Sequence, residues 1–268
     1  MMICADDFGL ASDVDEAIVR LAAQGKISAV SVMAALLAEP TPALKTLLEM
    51  RDKLELGLHL VLTDEVNLPP SEHVDSIHRN GRFLSFGKLL SRSLTGGVRA
   101  ADAQREITAQ YEWFEGLTDS APDFMDGHLH VQQLLGVRRG LIGFLASLSP
   151  HEHLWVRNAA EPMETISRRG VAPLKCWAIA KLGGALRERL QTHNIPTNDG
   201  FAGVCDYGNW RNYPDALQRM LAHVRSGNYL IMTHPGQTED WRRAEYEALQ
   251  AVALPAGEPQ RFARKQAA

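Results

Sequence analysis

Short apolar, β-branched runs alternate with longer amphipathic stretches along the whole chain, and this alternation most constrains the fold. Strands are predicted at 2–5, 29–33, 54–60, 123–126, 154–157, 201–205 and 229–233. Helices are predicted from Ser12 to Gly25, from Thr41-Pro42, at 101–117, 132–147, 173–190 and 214–226, and from about Glu239. A strand that returns after a helix runs parallel to the one before it, so the repeated unit implies a parallel sheet. No internal repeat or linker interrupts the series. The expectation is one α/β domain over 1–255, a (β/α) barrel-like fold with about seven parallel strands, incomplete or distorted in closure. An irregular stretch at 62–100, rich in Pro, Gly, Ser and Asn, is too long for a simple connection and reads as a lid, binding loop or subunit contact. The segment 256–268 reads as a polar, frayed tail.

Local signals refine this outline. Ser12 to Asp15 has capping-box spacing, and Asp13, Asp15 and Glu16 suit the positive end of a helix. The apolar, aromatic-containing stretch 171–186 reads as an ordinary core helix first, with packing against a neighbour or lining an acceptor groove as alternatives. With 268 residues, 45% hydrophobic, the chain is long enough for one large core. A net charge of −4 argues against nucleic acid as a partner. Cys4, Cys176 and Cys205 lack pairing or metal spacing and read as reduced thiols of a cytoplasmic protein. No run approaches the ~18 apolar residues of an integral membrane segment.

The polar residues fall at one end of this map. Asp6 and Asp7 follow strand one, and His59 ends strand three. Asp126, His128 and His130 follow strand four, Arg157 ends strand five, and His234 follows the last strand. In a parallel barrel the C-terminal strand ends converge on one face, where such folds place chemistry. Adjacent carboxylates are costly unless a positive group lies between them, and a metal ion serves that purpose. One carboxylate and two imidazoles suit a hydrolytic divalent metal. A second, free carboxylate suits a general base, and a separate histidine suits a general acid. Neighbouring residues of a regular strand face opposite ways, so Asp6 and Asp7 share a site only if the strand ends there; Phe8-Gly9 is the expected break.

Four motifs, Ala5-Asp6-Asp7-Phe8-Gly9, Gly57-Leu58-His59-Leu60, Asp126-Gly127-His128-Leu129-His130 and Thr233-His234-Pro235-Gly236, resemble those of the YdjC/ChbG family of carbohydrate deacetylases. They occur in the family's order and span nearly the whole chain. The resemblance implies a barrel-like fold and removal of acetyl groups from N-acetylated sugars with a divalent metal. Zn or Mg is the first expectation, with Co, Ni or Mn as alternatives. It implies Asp7, His59 and His128 as metal ligands, Asp6 as general base, His234 as general acid and Arg157 as the arginine that orients the base. It also implies a homodimer. The family often carries a third histidine where this chain has Leu129.

Other readings stand beside these. His130 is either a further ligand or a group beside the site that touches substrate, and Asp126 either orients a ligand histidine or shapes a turn. His151 and His153 precede strand five and read as a surface pair on the opposite face. Asn198-Asp199-Gly200-Phe201 and Tyr207-Gly208-Asn209-Trp210 suit sugar faces and hydroxyls, or plain turns. Hydrolysis of another amide or ester on a glycoconjugate, or sugar binding without catalysis, are the alternative functions.

Overall fold

The computed structural model describes residues 1–63, 71, 73–148, 154–254 and 259–263. His151, His153 and the end of the tail lie outside the described residues. The chain runs β1 (Met2–Phe8), α1 (Ser12–Ala23), β2 (Ala29–Val32), α2 (Pro42–Leu48) and β3 (Glu55–Leu60). It continues through β4 (His78–Arg79), β5 (Arg82–Phe83), α3 (Phe86–Leu94), α4 (Ala100–Thr118), β6 (Phe124–Gly127) and α5 (Leu135–Ser147). Then come β7 (Trp155–Val156), α6 (Met163–Arg169), α7 (Pro173–Thr192), β8 (Gly200–Ala202), α8 (Tyr213–Ala222), β9 (Tyr229–Thr233) and α9 (Asp240–Ala251).

Seven of these strands form one parallel sheet in the order β7-β6-β3-β2-β1-β9-β8. Its edges meet at a single bridge between Val156 and Thr197, where the Val156 N–H donates to the Pro196 carbonyl at 2.9 Å. Asn158 and Asn198, both buried, exchange side-chain to backbone hydrogen bonds of 2.8–3.0 Å across the same seam. Asn198 therefore links the two edges of the curled sheet at this one point. The predicted barrel-like α/β fold is what the chain adopts.

The core divides as strand alternation requires. Ile3, Ala5, Val30, Val32, Leu56, Leu58, Val156 and Ile231 pack outward against the helices. Met2, Cys4, Ala29, Phe124, Trp155, Phe201, Leu230 and Met232 form a separate interior cluster. Gly57 faces inward too, and a Cβ there would lie 2.3 Å from the Phe124 ring, so glycine is what lets that ring fill the barrel. Continuing the inner rows towards the strand C-termini reaches Asp6, Ser31, His59, Asp126, Arg157 and His234.

Several local expectations need correction. Strand one does not end at Ala5 but continues through both aspartates to Phe8. Helix α1 is capped by Ala11 without a side-chain hydrogen bond, so Ser12 forms no capping box; Asp15 instead accepts from the Gly9 N–H at 2.6 Å. Helix α6 was not anticipated. The 62–100 stretch contains the β4–β5 hairpin and α3, and it is tied to α4: Ser71 N–H donates to Glu106 and Ser76 N–H to the buried Asp102. Helix α7 is only partly a core helix, since Leu174 and Trp177 are exposed. No helix among the described residues is long and apolar enough to cross a membrane.

Part of the tail is also built in. Phe262 stacks on Trp155 with ring centroids 4.8 Å apart, and Asn228 exchanges two hydrogen bonds with the Ala263 backbone. Gln260 N–H donates to the Met1 carbonyl at 2.8 Å. Residues 259–263 thus cover the floor of the barrel and are not frayed. Phe262→Ala is expected to destabilise the fold by about 3 kcal/mol. The readout is a lower urea midpoint at unchanged slope; an unchanged midpoint would show that the floor holds without this ring.

Candidate metal centre and active site

The site begins with a β-bulge. β1 pairs with β2 through Ala5 opposite Val30 and Phe8 opposite Val32, so Asp6 and Asp7 together face the single residue Ser31. Asp7 takes a positive φ of 70°. Without this, Asp7 would follow Ile3 and Ala5 onto the outer face; the bulge turns it towards the barrel mouth beside Asp6. The break that lets both carboxylates share a site is therefore at Asp7 itself, not at Phe8-Gly9.

Asp7, His59 and His128 converge. Asp7 Oδ1 lies 3.0 Å from His128 Nδ1 and 3.4 Å from His59 Nε2, and one donor atom from each residue falls within 4.8 Å of the others. Asp7 and His59 are 1% exposed, and His128 is part-buried. One carboxylate and two imidazoles in this cluster fit a divalent cation with positions left for water or substrate. Burial alone raises the Asp7 carboxyl, but hydrogen bonds from His128 and His59 and the nearby histidine charges hold it well below the carboxylate range. His59 shows the mirror effect: burial lowers it, while the charge and hydrogen bond of Asp126 lift it to about 10. A divalent cation held by this residue would require the neutral imidazole, so binding would release a proton.

Behind the triad lies a second layer. His59 Nδ1 sits 2.6 Å from Asp126 Oδ1 and 2.8 Å from Ser31 Oγ, and Ser31 donates to the same Asp126 oxygen. Arg157 forms a two-pronged pair with Asp6, at 2.7 and 2.6 Å, and reaches Asp126 at 3.0 Å. Cys4, Asp6 and Asp126 also cluster closely enough to hold a metal. The Arg157 guanidinium already supplies the positive charge there, and its Nη1 lies 3.9 Å from Cys4 Sγ, so this cluster is a salt-bridge network.

His234 stands at the end of β9. Its backbone N–H donates to Glu245 at 2.6 Å, and its Nδ1 lies 3.3 Å from the Tyr207 hydroxyl and 3.9 Å from Glu245 Oε1. Burial pushes the imidazole down, and the Glu245 hydrogen bond and charge more than reverse this, so its pKa is raised. The Tyr207 and Trp241 rings pack beside it, with centroids 5.7 and 6.0 Å away. His130 is not brought into the triad; its ring meets Phe201 edge-on at 5.7 Å.

Sequence reasoning missed Ser31, Arg242 and Glu245. Ser31 carried a signal, being the inner-face position two residues after Ala29. Arg242 and Glu245 lie three apart on α9, one face of a helix, but nothing in their spacing points to the barrel mouth. There Arg242 donates to Asp7 Oδ2 at 2.7 Å.

A parallel barrel with a buried carboxylate–imidazole cluster at its strand C-termini has the architecture of a barrel enzyme. The YdjC-like protein family profile matches residues 1–256, and the chain belongs to that family. It is 27% identical over 253 residues to a carbohydrate deacetylase of Mus musculus, covering 88% of this chain and 77% of the relative. It is 28% identical to that of Homo sapiens, covering 88% and 74%. A carbohydrate deacetylase of Geobacillus stearothermophilus is 31% identical over 134 residues, covering 49% and 50%. Among solved structures, an Enterococcus faecalis protein assigned to cellobiose-phosphate cleavage shares the fold with a TM-score of 0.65 at 17% identity, covering 98% of this chain and 96% of its own.

Because Arg157 pairs with two buried carboxylates, its loss strips Asp6 of its paired cation and leaves Asp126 with His59 alone. Arg157→Met is expected to cost about 3–5 kcal/mol, measured by urea unfolding of chelator-treated protein. A cost below about 1 kcal/mol, the range of an exposed pair, would contradict the network.

Proposed function

We propose that this chain is a metal-dependent carbohydrate N-deacetylase, hydrolysing the acetamido group of an N-acetylated sugar to a free amine and acetate. The observation that carries the reading is the convergence of Asp7 Oδ1 with His59 Nε2 and His128 Nδ1 in a buried barrel mouth. Carbohydrate deacetylase relatives across most of the chain support it.

Asp7, His59 and His128 would hold the ion. Zn or Mg, or one of Co, Ni and Mn, bound there would polarise the acetamido carbonyl and stabilise negative charge developing on its oxygen. Asp6 is the general base. Arg157 fixes both its oxygens, and their remaining lone pairs accept a proton from the attacking water. Asp126 and Ser31 hold His59 by Nδ1 so that Nε2 faces Asp7. His234 is the general acid. Its Nδ1 faces Tyr207 and Glu245, which leaves Nε2 to protonate the departing amine. Glu245 favours the protonated imidazole that this role needs.

Acetate release from a panel of N-acetylated mono- and oligosaccharides tests the reaction. Asp6→Asn is expected to keep the metal and lower kcat by about 10²–10⁴-fold; wild-type turnover would remove Asp6 as the base. His59→Ala or His128→Ala is expected to lose the metal by elemental analysis, together with activity. Glu245 raises the His234 pKa, and the acid form is the active one, so activity falls as pH rises through that pKa. Glu245→Gln is therefore expected to move the alkaline limb of kcat/KM to lower pH. An unmoved limb would assign it to another group.

A further inference from the structure

Asp7 is held from two sides. Oδ1 faces the two imidazoles, while Oδ2 accepts from Arg242 Nη2 at 2.7 Å. Arg242 comes from α9, outside the four motifs, and its side chain is 6% exposed. Three features hold it in place. Its Nε donates to Glu239 at 2.9 Å, its guanidinium carbon lies 4.3 Å from the Trp241 ring centroid, and its stem crosses Gly236. A Cβ on Gly236 would lie 3.0 Å from Arg242 Cδ and 3.1 Å from its Cβ, so glycine at this position leaves the path open. Nη1 is buried with no hydrogen bond among the described residues. A pair serving stability alone gains nothing from burying a donor that way.

A carboxylate offers a cation one oxygen or two. Two oxygens use an extra coordination position and add donor charge; one leaves that position to water or substrate. A charge-assisted hydrogen bond to Oδ2 removes the second oxygen from the choice. We propose that Arg242 is a positioning residue that restricts Asp7 to one-oxygen ligation through Oδ1 and keeps a coordination position open for the reaction. This rests on the metal-dependent reading above. It also gives Gly236, in Thr233-His234-Pro235-Gly236, a role distinct from that of its neighbour His234: it clears the path of the arginine that limits Asp7.

Titration of the metal-free protein with Co(II), followed by visible absorption, tests the inference without reference to turnover. Absorption by Co(II) weakens as its coordination number rises. Arg242→Met is expected to bind one Co(II) per chain with visible absorption a few-fold below wild type, because Asp7 gains a second bond to the ion. At saturating metal its kcat is expected to fall about 10–100-fold. A folded Arg242→Met protein whose Co(II) spectrum matches wild type overturns the inference. If that variant does not fold, Arg242→Gln removes the charged donor to Asp7 Oδ2 while keeping a polar side chain at the position. It is expected to shift the spectrum in the same direction, and a wild-type spectrum overturns the inference equally. A wild-type chain that takes up no Co(II) overturns the metal reading itself, and this inference with it.

Discussion

Three aspartates buried in one barrel mouth set the terms for everything around them. Asp6, Asp7 and Asp126 are each 1% exposed or less. Like charges this close and this dry are tolerated only with cations fitted between them. Arg157 forks between Asp6 and Asp126, His59 bridges Asp126 and Asp7, and Arg242 takes the free oxygen of Asp7. These contacts tie β1, β3, β6, β7 and α9 into one network. The ends of four strands and one helix are thus held by the same interactions that form the site. Loss of one cation strands a charge and also loosens a strand end.

The bulge at Asp6-Asp7 divides two chemically identical neighbours. Asp6 continues the inner row of Met2 and Cys4, deep enough to meet Arg157 on both oxygens. Asp7, turned by its positive φ, meets His59, His128 and Arg242 instead. A regular strand would have sent one of them outward among Ile3 and Ala5. Opposite the bulge, Ser31 spans His59 and Asp126. One inserted residue therefore accounts both for the proximity of the carboxylates and for their different partners.

Much of this is legible in the amino-acid sequence. Short apolar, β-branched runs marked the strands, and the barrel rule alone brought His59, Asp126, Arg157 and His234 to one face. What stayed hidden has physical causes. A positive φ at an aspartate leaves no mark in composition, so the break was placed at Phe8-Gly9. Short-range caps compete with longer contacts: Asp15 bonds Gly9 and leaves Ser12 without a capping box. The tail looked polar because Phe262 is a lone aromatic among charged residues, yet one ring suffices to stack on Trp155. Arg242 and Glu245 read as an ordinary polar helix surface. A long side chain on an amphipathic helix reaches a site several ångströms away without altering the periodicity that identifies the helix.

The barrel interior is layered, and the layering bears on the chemistry at its mouth. At the floor, the buried Glu55 accepts from Trp155 Nε1 at 2.9 Å, with Arg261 at 3.7 Å and Phe262 stacked below the indole. Above it Phe124, Phe201, Leu230 and Met232 fill the middle with apolar volume. Only past that layer do Asp6, Asp126 and Arg157 begin. Water is thereby excluded from beneath the charged layer, and electrostatic interactions in so dry a setting are stronger than at the surface. The pull of Arg157 on Asp6 and the competition of Arg242 for Asp7 act in that setting. The tail seals the floor beneath the same apolar layer on which the charged mouth rests.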